Sequence, residues 1–143
     1  MRYVSECLNV ILLQIKMSEL TDSIVFRIKL LEVVLSILSL VPFFGQHNYP
    51  ANDIILGDFV YLTLYGFLGI GIVVLASFIR SESISEKLIF YTTATASIMH
   101  LMSSIIVIVA LLDVWNGGRF IGVIFIIFNT LTYGWDAYQC LKS

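Results

Sequence analysis

The chain has 143 residues, of which 59% are hydrophobic, 13% aromatic and only 13% charged, with a net charge of −2. Soluble domains carry about 25% charged residues. The polar cover of a soluble globule is therefore missing, and the composition is that of an integral membrane protein. With no Lys/Arg-rich run there is nothing for nucleic acid to bind. Cys7 and Cys140 lie at opposite ends, without a CxxC or a Cys/His cluster, so the pattern offers no metal, redox or other cofactor site.

Residues 1–22 form a cytoplasmic N-terminal segment. "MRYVSECLNVILLQIK" has an apolar centre broken by Asn9 and Gln14, and it lacks a small-residue cleavage site. It reads either as an in-plane interfacial helix or as a loosely packed extension. Met17 opens "MSELTDSIVFRIK", a polar lead into a span, so Met1 and Met17 both stand as possible starts.

Residues 23–142 form one membrane domain. A helix needs roughly 20 apolar residues to cross about 30 Å of hydrocarbon. Four stretches meet this, at about 24–44, 59–79, 88–112 and 120–138. The breaks "GQHNYPANDIILGD", "RSESISEK" and "DVWNGGR" carry turn formers or charge and are too short to fold as domains. The fold class expected is all-α, a transmembrane four-helix bundle. Arg2, Lys16, Arg27, Lys29, Arg80, Lys87 and Lys142 fall on the side of the termini and middle loop, and only Arg119 falls opposite. Positive residues stay inside, so the N- and C-termini are expected in the cytoplasm. His47, Asp53, Asp58, Asp113 and Trp115 then lie outside.

Polar residues inside the spans fall in stripes. In the first span Lys29, Glu32, Ser36 and Ser39 share a face at spacings of 3, 4 and 3. A lone carboxylate at this depth costs a few kcal/mol on insertion scales, so Glu32 is expected to be paired, with Lys29 three residues away. Thr63, Gly66 and Gly69 are nearly aligned in the second span. Thr93, Ser97, His100 and Ser104 align in the third, and Gly118, Gly122, Phe125, Asn129, Thr132 and Asp136 in the fourth. Small and hydroxylated residues mark where membrane helices touch. Gly66, Gly69, Ser97, Gly118 and Gly122 are therefore read as helix–helix contacts, and Glu32, Lys29, Ser36, His100, Asn129 and Asp136 as intramembrane polar packing. Val34, Ile106 and Ile124 are expected to face lipid or a neighbour.

Several residues carry two readings. Glu32 either fastens helices or binds a proton or cation. His100 either donates an interhelical hydrogen bond or relays protons. Asp136 is expected to meet Arg27 or Lys29. Gly118-x-x-x-Gly122 also fits a dimer seam, though such matches are common. Cys140, just past the fourth span, is either an interfacial small residue or a palmitoylation site. Trp115, Trp135 and Tyr138 are interfacial anchors. No Asn-x-Ser/Thr sequon, nucleophile elbow, HExxH or phosphate loop occurs, so no enzyme is indicated.

The layout resembles the MARVEL-type tetraspan family. "FRIKLLEVVLSILSL" looks like that family's basic-apolar first helix, and "LIFYTTATASIMHLMSSIIVIVALL" looks like its third. The resemblance is one of pattern and covers about residues 23–142. It implies lateral association with other membrane proteins, or with itself, in membrane apposition, vesicle trafficking or cell junctions, at the plasma membrane or on vesicles. The large cysteine-bearing outer loops of claudins and tetraspanins are absent. Two alternatives stay open: a small proton-coupled transporter using Glu32, and an accessory subunit of a larger membrane complex.

Overall fold

A computed structural model of the chain describes residues 23–44, 49–80, 82 and 84–142. The N-terminal interfacial segment, the Met17 start, Cys7 and His47 lie outside the described residues. The rest is an up-down-up-down bundle of four helices: α1 (Ile24–Leu40), α2 (Ile54–Arg80), α3 (Glu86–Asp113) and α4 (Gly117–Lys142). No strand occurs among the described residues. Each helix packs on its neighbours in chain order, and α4 closes the ring on α1. The α3–α4 contact is the most extensive, and the α2–α3 contact the least.

Three helices, α2, α3 and α4, are long and apolar enough to cross a membrane. α1 has 17 residues and runs into a 3₁₀ turn, Val41–Phe43. Pro42 explains the change of winding: it has no N–H to offer the carbonyl four residues back, and its ring crowds that turn. Helix and turn together reach about 31 Å.

α2, α3 and α4 overrun the expected spans, and polar caps start two of them. Asp53 Oδ1 accepts the Leu56 N–H at 3.1 Å, which starts α2 at Ile54 rather than near residue 59. Asn116 Oδ1 accepts the Arg119 N–H at 3.1 Å and starts α4. Glu86 in the first turn of α3, and Arg80 and Lys142 in the last turns of α2 and α4, each oppose the local helix-dipole charge.

The interior changes character along the bundle axis. Towards the α1–α2 and α3–α4 connections it is apolar: Leu40, Phe43, Val60, Leu64, Val107, Val123 and Ile126 pack together. Towards the termini it is polar. Along the whole axis many buried hydroxyls, among them Thr63, Thr93 and Ser104, donate to carbonyls three or four residues back in their own helices, so their burial leaves no orphaned donor. The outer surface is aliphatic and aromatic, with Leu62, Val73, Ile98, Leu112 and Leu131 all exposed.

Two glycines show where backbones must come close. A Cβ on Gly122 would lie 2.3 Å from the Phe43 ring, and one on Gly71 would lie 2.8 Å from Val33 Cγ2. Gly66 and Gly69, by contrast, are exposed, and nothing lies within 4 Å of where their Cβ atoms would be. Gly69→Leu is expected to leave the melting temperature in detergent unchanged. Gly122→Leu is expected to lower stability by about 1–3 kcal/mol or more, as overpacking does. Equal effects would contradict this assignment of faces.

Candidate functional site

The polar half of the bundle is built around α1. Its stripe turns fully inward: Lys29 is 2% exposed, Glu32 1%, and Ser36 and Ser39 0%. Lys29 Nζ donates to Glu32 Oε2 at 3.0 Å and to Asp136 Oδ2 on α4 at 2.5 Å. One ammonium thus holds two carboxylates and ties α1 to α4. Asp136 meets Lys29, the second of the two basic residues expected for it.

One level further along the axis lies a second network. Asn129 Nδ2 on α4 donates to Ser36 Oγ on α1 at 2.9 Å and to His100 Nε2 on α3 at 3.2 Å. Its two amide hydrogens therefore join three helices. Ser36 Oγ passes its own proton to Glu32 O at 2.8 Å. His100 Nδ1 lies 2.8 Å from Ala96 O. That carbonyl can only accept, so the proton sits on Nδ1 and Nε2 accepts from Asn129. His100 thus accepts the interhelical bond and donates within its own helix, a correction to its expected role. The Phe67 and Tyr133 rings flank the imidazole, with centroids 5.5 and 5.1 Å away.

The remaining singled-out residues divide. Ser97 Oγ donates across to Thr130 O on α4 at 3.1 Å, a true helix–helix contact. Gly122 packs inside against Phe43 of the same chain and is closed to any partner, so Gly118-x-x-x-Gly122 is no dimer seam here. Gly118, in the first turn of α4, is half-buried. Gly66 and Gly69 face outward and make no helix–helix contact. Val34 is exposed, but Ile106 and Ile124 are half-buried and Ile106 packs on the apolar core. Cys140 is half-buried near the end of α4.

Arg119 is a residue that sequence reasoning missed. Counted only as the one basic group on the outer side, it is 8% exposed. Its guanidinium donates to Tyr49 O at 2.8 Å, Ala110 O at 3.0 Å and Ala51 O at 3.3 Å. It thereby pins the α1–α2 connection to the end of α3. Beside it, the Tyr49 hydroxyl donates to Asp58 Oδ1 at 2.6 Å. That hydrogen bond pushes the Tyr49 pKa up to about 12, since the carboxylate opposes a second negative charge. Asn52 Nδ2 donates to Asp113 Oδ2 at 3.2 Å and ties the same connection to the C-terminal end of α3.

Between the second half of α2 and the first half of α3 lies a cleft of about 610 Å³. Gly66 and Gly69 lie on its α2 wall, Leu88 and Thr92 on its α3 wall, and Lys29, Glu32 and Tyr133 at its inner side. No cluster of His, Cys, Asp and Glu suited to a metal ion occurs among the described residues. Comparison with known proteins found no matching family model, no similar curated protein and no similar solved structure.

Proposed function

We propose that the chain is a multi-pass membrane protein in which α1 crosses the bilayer together with α2, α3 and α4. Both termini and the α2–α3 connection lie in the cytoplasm. It acts without catalysis, through lateral association with other membrane proteins or with itself, at the plasma membrane or on vesicles. The MARVEL-type resemblance supports a role in membrane apposition, trafficking or junctions. The observation that carries the proposal is the division between inside and outside. Lys29, Glu32, His100 and Asp136 are each at most 2% exposed, while the outer face is a belt of Ile, Leu, Val and Phe. Such a surface meets lipid and other helices, and the short connections leave little room for chemistry in water. The Lys29 clamp favours a fastening role for Glu32 over transport, because a transport carboxylate must release its partner in each cycle.

Topology is checked in a background with Cys7→Ser and Cys140→Ser. Asn52→Cys is expected to react with an impermeant thiol reagent on intact cells. Glu82→Cys is expected to react only after permeabilisation. The reverse pattern would invert the orientation. Association is checked by expressing the protein with a small tag at native level and purifying it in mild detergent. Junctional or vesicle enrichment with a homo-oligomer or several co-purifying membrane proteins is the expected result. A single stoichiometric large partner would make the chain a subunit of that complex instead. A lone monomer would overturn lateral association.

A further inference from the structure

We propose that residues 8–16 of the N-terminal segment fold back into a groove at the terminal end of the bundle and cover the Lys29–Asp136 pair from that side. The groove, of about 520 Å³, is formed by the ends of all four helices and by the α2–α3 connection. Ile28, Phe78, Ile84 and Ile89 give it apolar walls, and each is only half-buried. Asp136, 2% exposed, lines its inner side and is itself bonded to Lys29. Whatever fills the groove therefore keeps water from the clamp between α1 and α4.

Position and charge select the occupant. Ser23, the first described residue, itself lines the groove, so the 22 residues before it start at its edge. Within them Leu8, Ile11, Leu12 and Ile15 follow at steps of 3, 1 and 3, the pattern of one apolar helix face. Residues 16–22 leave ample chain for the reversal, since antiparallel helices are joined by loops of about two to five residues. One turn of helix about 10 Å across and about 5.4 Å high fills roughly 400 Å³. The groove thus takes the inward half of the stretch from Leu8 to Ile15. The tether holds that stretch at an effective concentration on the order of millimolar. Glu82 and Glu86, both exposed, stand on the rim, and neither forms an ion pair among the described residues. Lys16 directly follows the apolar stretch and is the only cation between Arg2 and Arg27. It reaches the rim as Ile15 enters the groove, while Glu19 and Asp22 fall on the tether outside. An anionic lipid head group would instead meet Glu82, Glu86 and Asp136, so charge favours the segment over lipid.

The test uses the full-length protein in membranes, in a background with Cys7→Ser and Cys140→Ser. Leu12→Cys paired with Ile89→Cys, in the groove, is expected to give an intrachain product with a short bismaleimide. Leu12→Cys paired with Val73→Cys, exposed on the outer face of α2, is expected to give none. Lys16→Glu is expected to lower the yield about fivefold, the weight of a surface ion pair. Adding Glu82→Lys and Glu86→Lys to it is expected to restore the yield. As a second readout, Ile89→Cys alone is expected to react with a small water-soluble thiol reagent about fivefold faster once Lys16→Glu is present, with far-UV dichroism unchanged. Absence of the intrachain product, equal yields from the two pairs, or a product formed only between chains would overturn the proposal. So would a yield or labelling rate that ignores Lys16→Glu, which would leave the segment on the membrane surface or the groove to lipid. These results do not depend on the orientation or association measured above, so either conclusion can fail alone.

Discussion

Lys29→Met is expected to lower the stability of the bundle by about 3–5 kcal/mol, the cost of leaving buried charges without their partner. The expectation follows from the number of groups that depend on one ammonium. Glu32 Oε2 and Asp136 Oδ2 both receive hydrogen bonds from it, and both side chains are almost completely buried. Removing it sets two carboxylates near each other with no cation to balance them, and they are released only by protonation or by separation of α1 from α4. Unfolding in mixed micelles of mild and ionic detergent, followed by far-UV dichroism, measures the loss. The triple variant Lys29→Met, Glu32→Gln, Asp136→Asn removes the charges together and is expected to recover most of the stability, since neutral replacement of a buried ionic cluster is often nearly free. If the single variant is as stable as wild type, the ammonium does not hold these helices together. If the triple variant is no better than the single one, the cost comes from the lost hydrogen bonds between α1 and α4 rather than from unbalanced charge.

How much of this was legible beforehand depended on the spacing of each stripe. Steps of 3 and 4 in alternation keep residues on one helix face. This is why Lys29, Glu32, Ser36 and Ser39 on α1, and His100 with Ser104 on α3, are all buried. Two steps of 3, as in Thr63, Gly66 and Gly69, drift about 60° each at 3.6 residues per turn. Thr63 is buried and Gly69, about 120° around from it, is exposed. The glycine of α2 that does face a helix is Gly71, seven residues after the buried Leu64. The need for a partner at Glu32 was legible from the cost of a carboxylate in hydrocarbon. The tie to Asp136, 107 residues from Lys29, was legible as a choice between Arg27 and Lys29, because all three lie towards the same end of the bundle, while the choice itself rests on which faces of α1 and α4 meet. The cleft was not legible either, because it depends on how far α2 and α3 stand apart.

Arg119 was the least legible residue of all, and Arg119→Met is expected to have the second-largest effect. Its role is invisible to periodicity because its partners are backbone carbonyls, which every residue has. Two of them, Tyr49 O and Ala51 O, belong to the connection between α1 and α2, and the third, Ala110 O, belongs to the last turns of α3. That carbonyl also receives the Val114 N–H at 3.2 Å, so the guanidinium closes the end of a helix while holding a loop against it. A hydrogen bond from a charged donor contributes about 1.5–3 kcal/mol. Methionine keeps the apolar stem but provides none of the three, so a loss of about 3–4 kcal/mol is expected, allowing for carbonyls that water can reach in the variant. Arg119→Lys is expected to recover only part of it, since one ammonium lacks the guanidinium's planar fork and does not span three carbonyls on two segments. The loss should also be local. Hydrogen exchange is expected to rise at residues 49–53 and in the last turn of α3, while amides around Lys29, Ser36 and Asn129 stay protected. Exchange that rises throughout the bundle would mean that Arg119 supports the whole fold rather than the joint between this connection and α3.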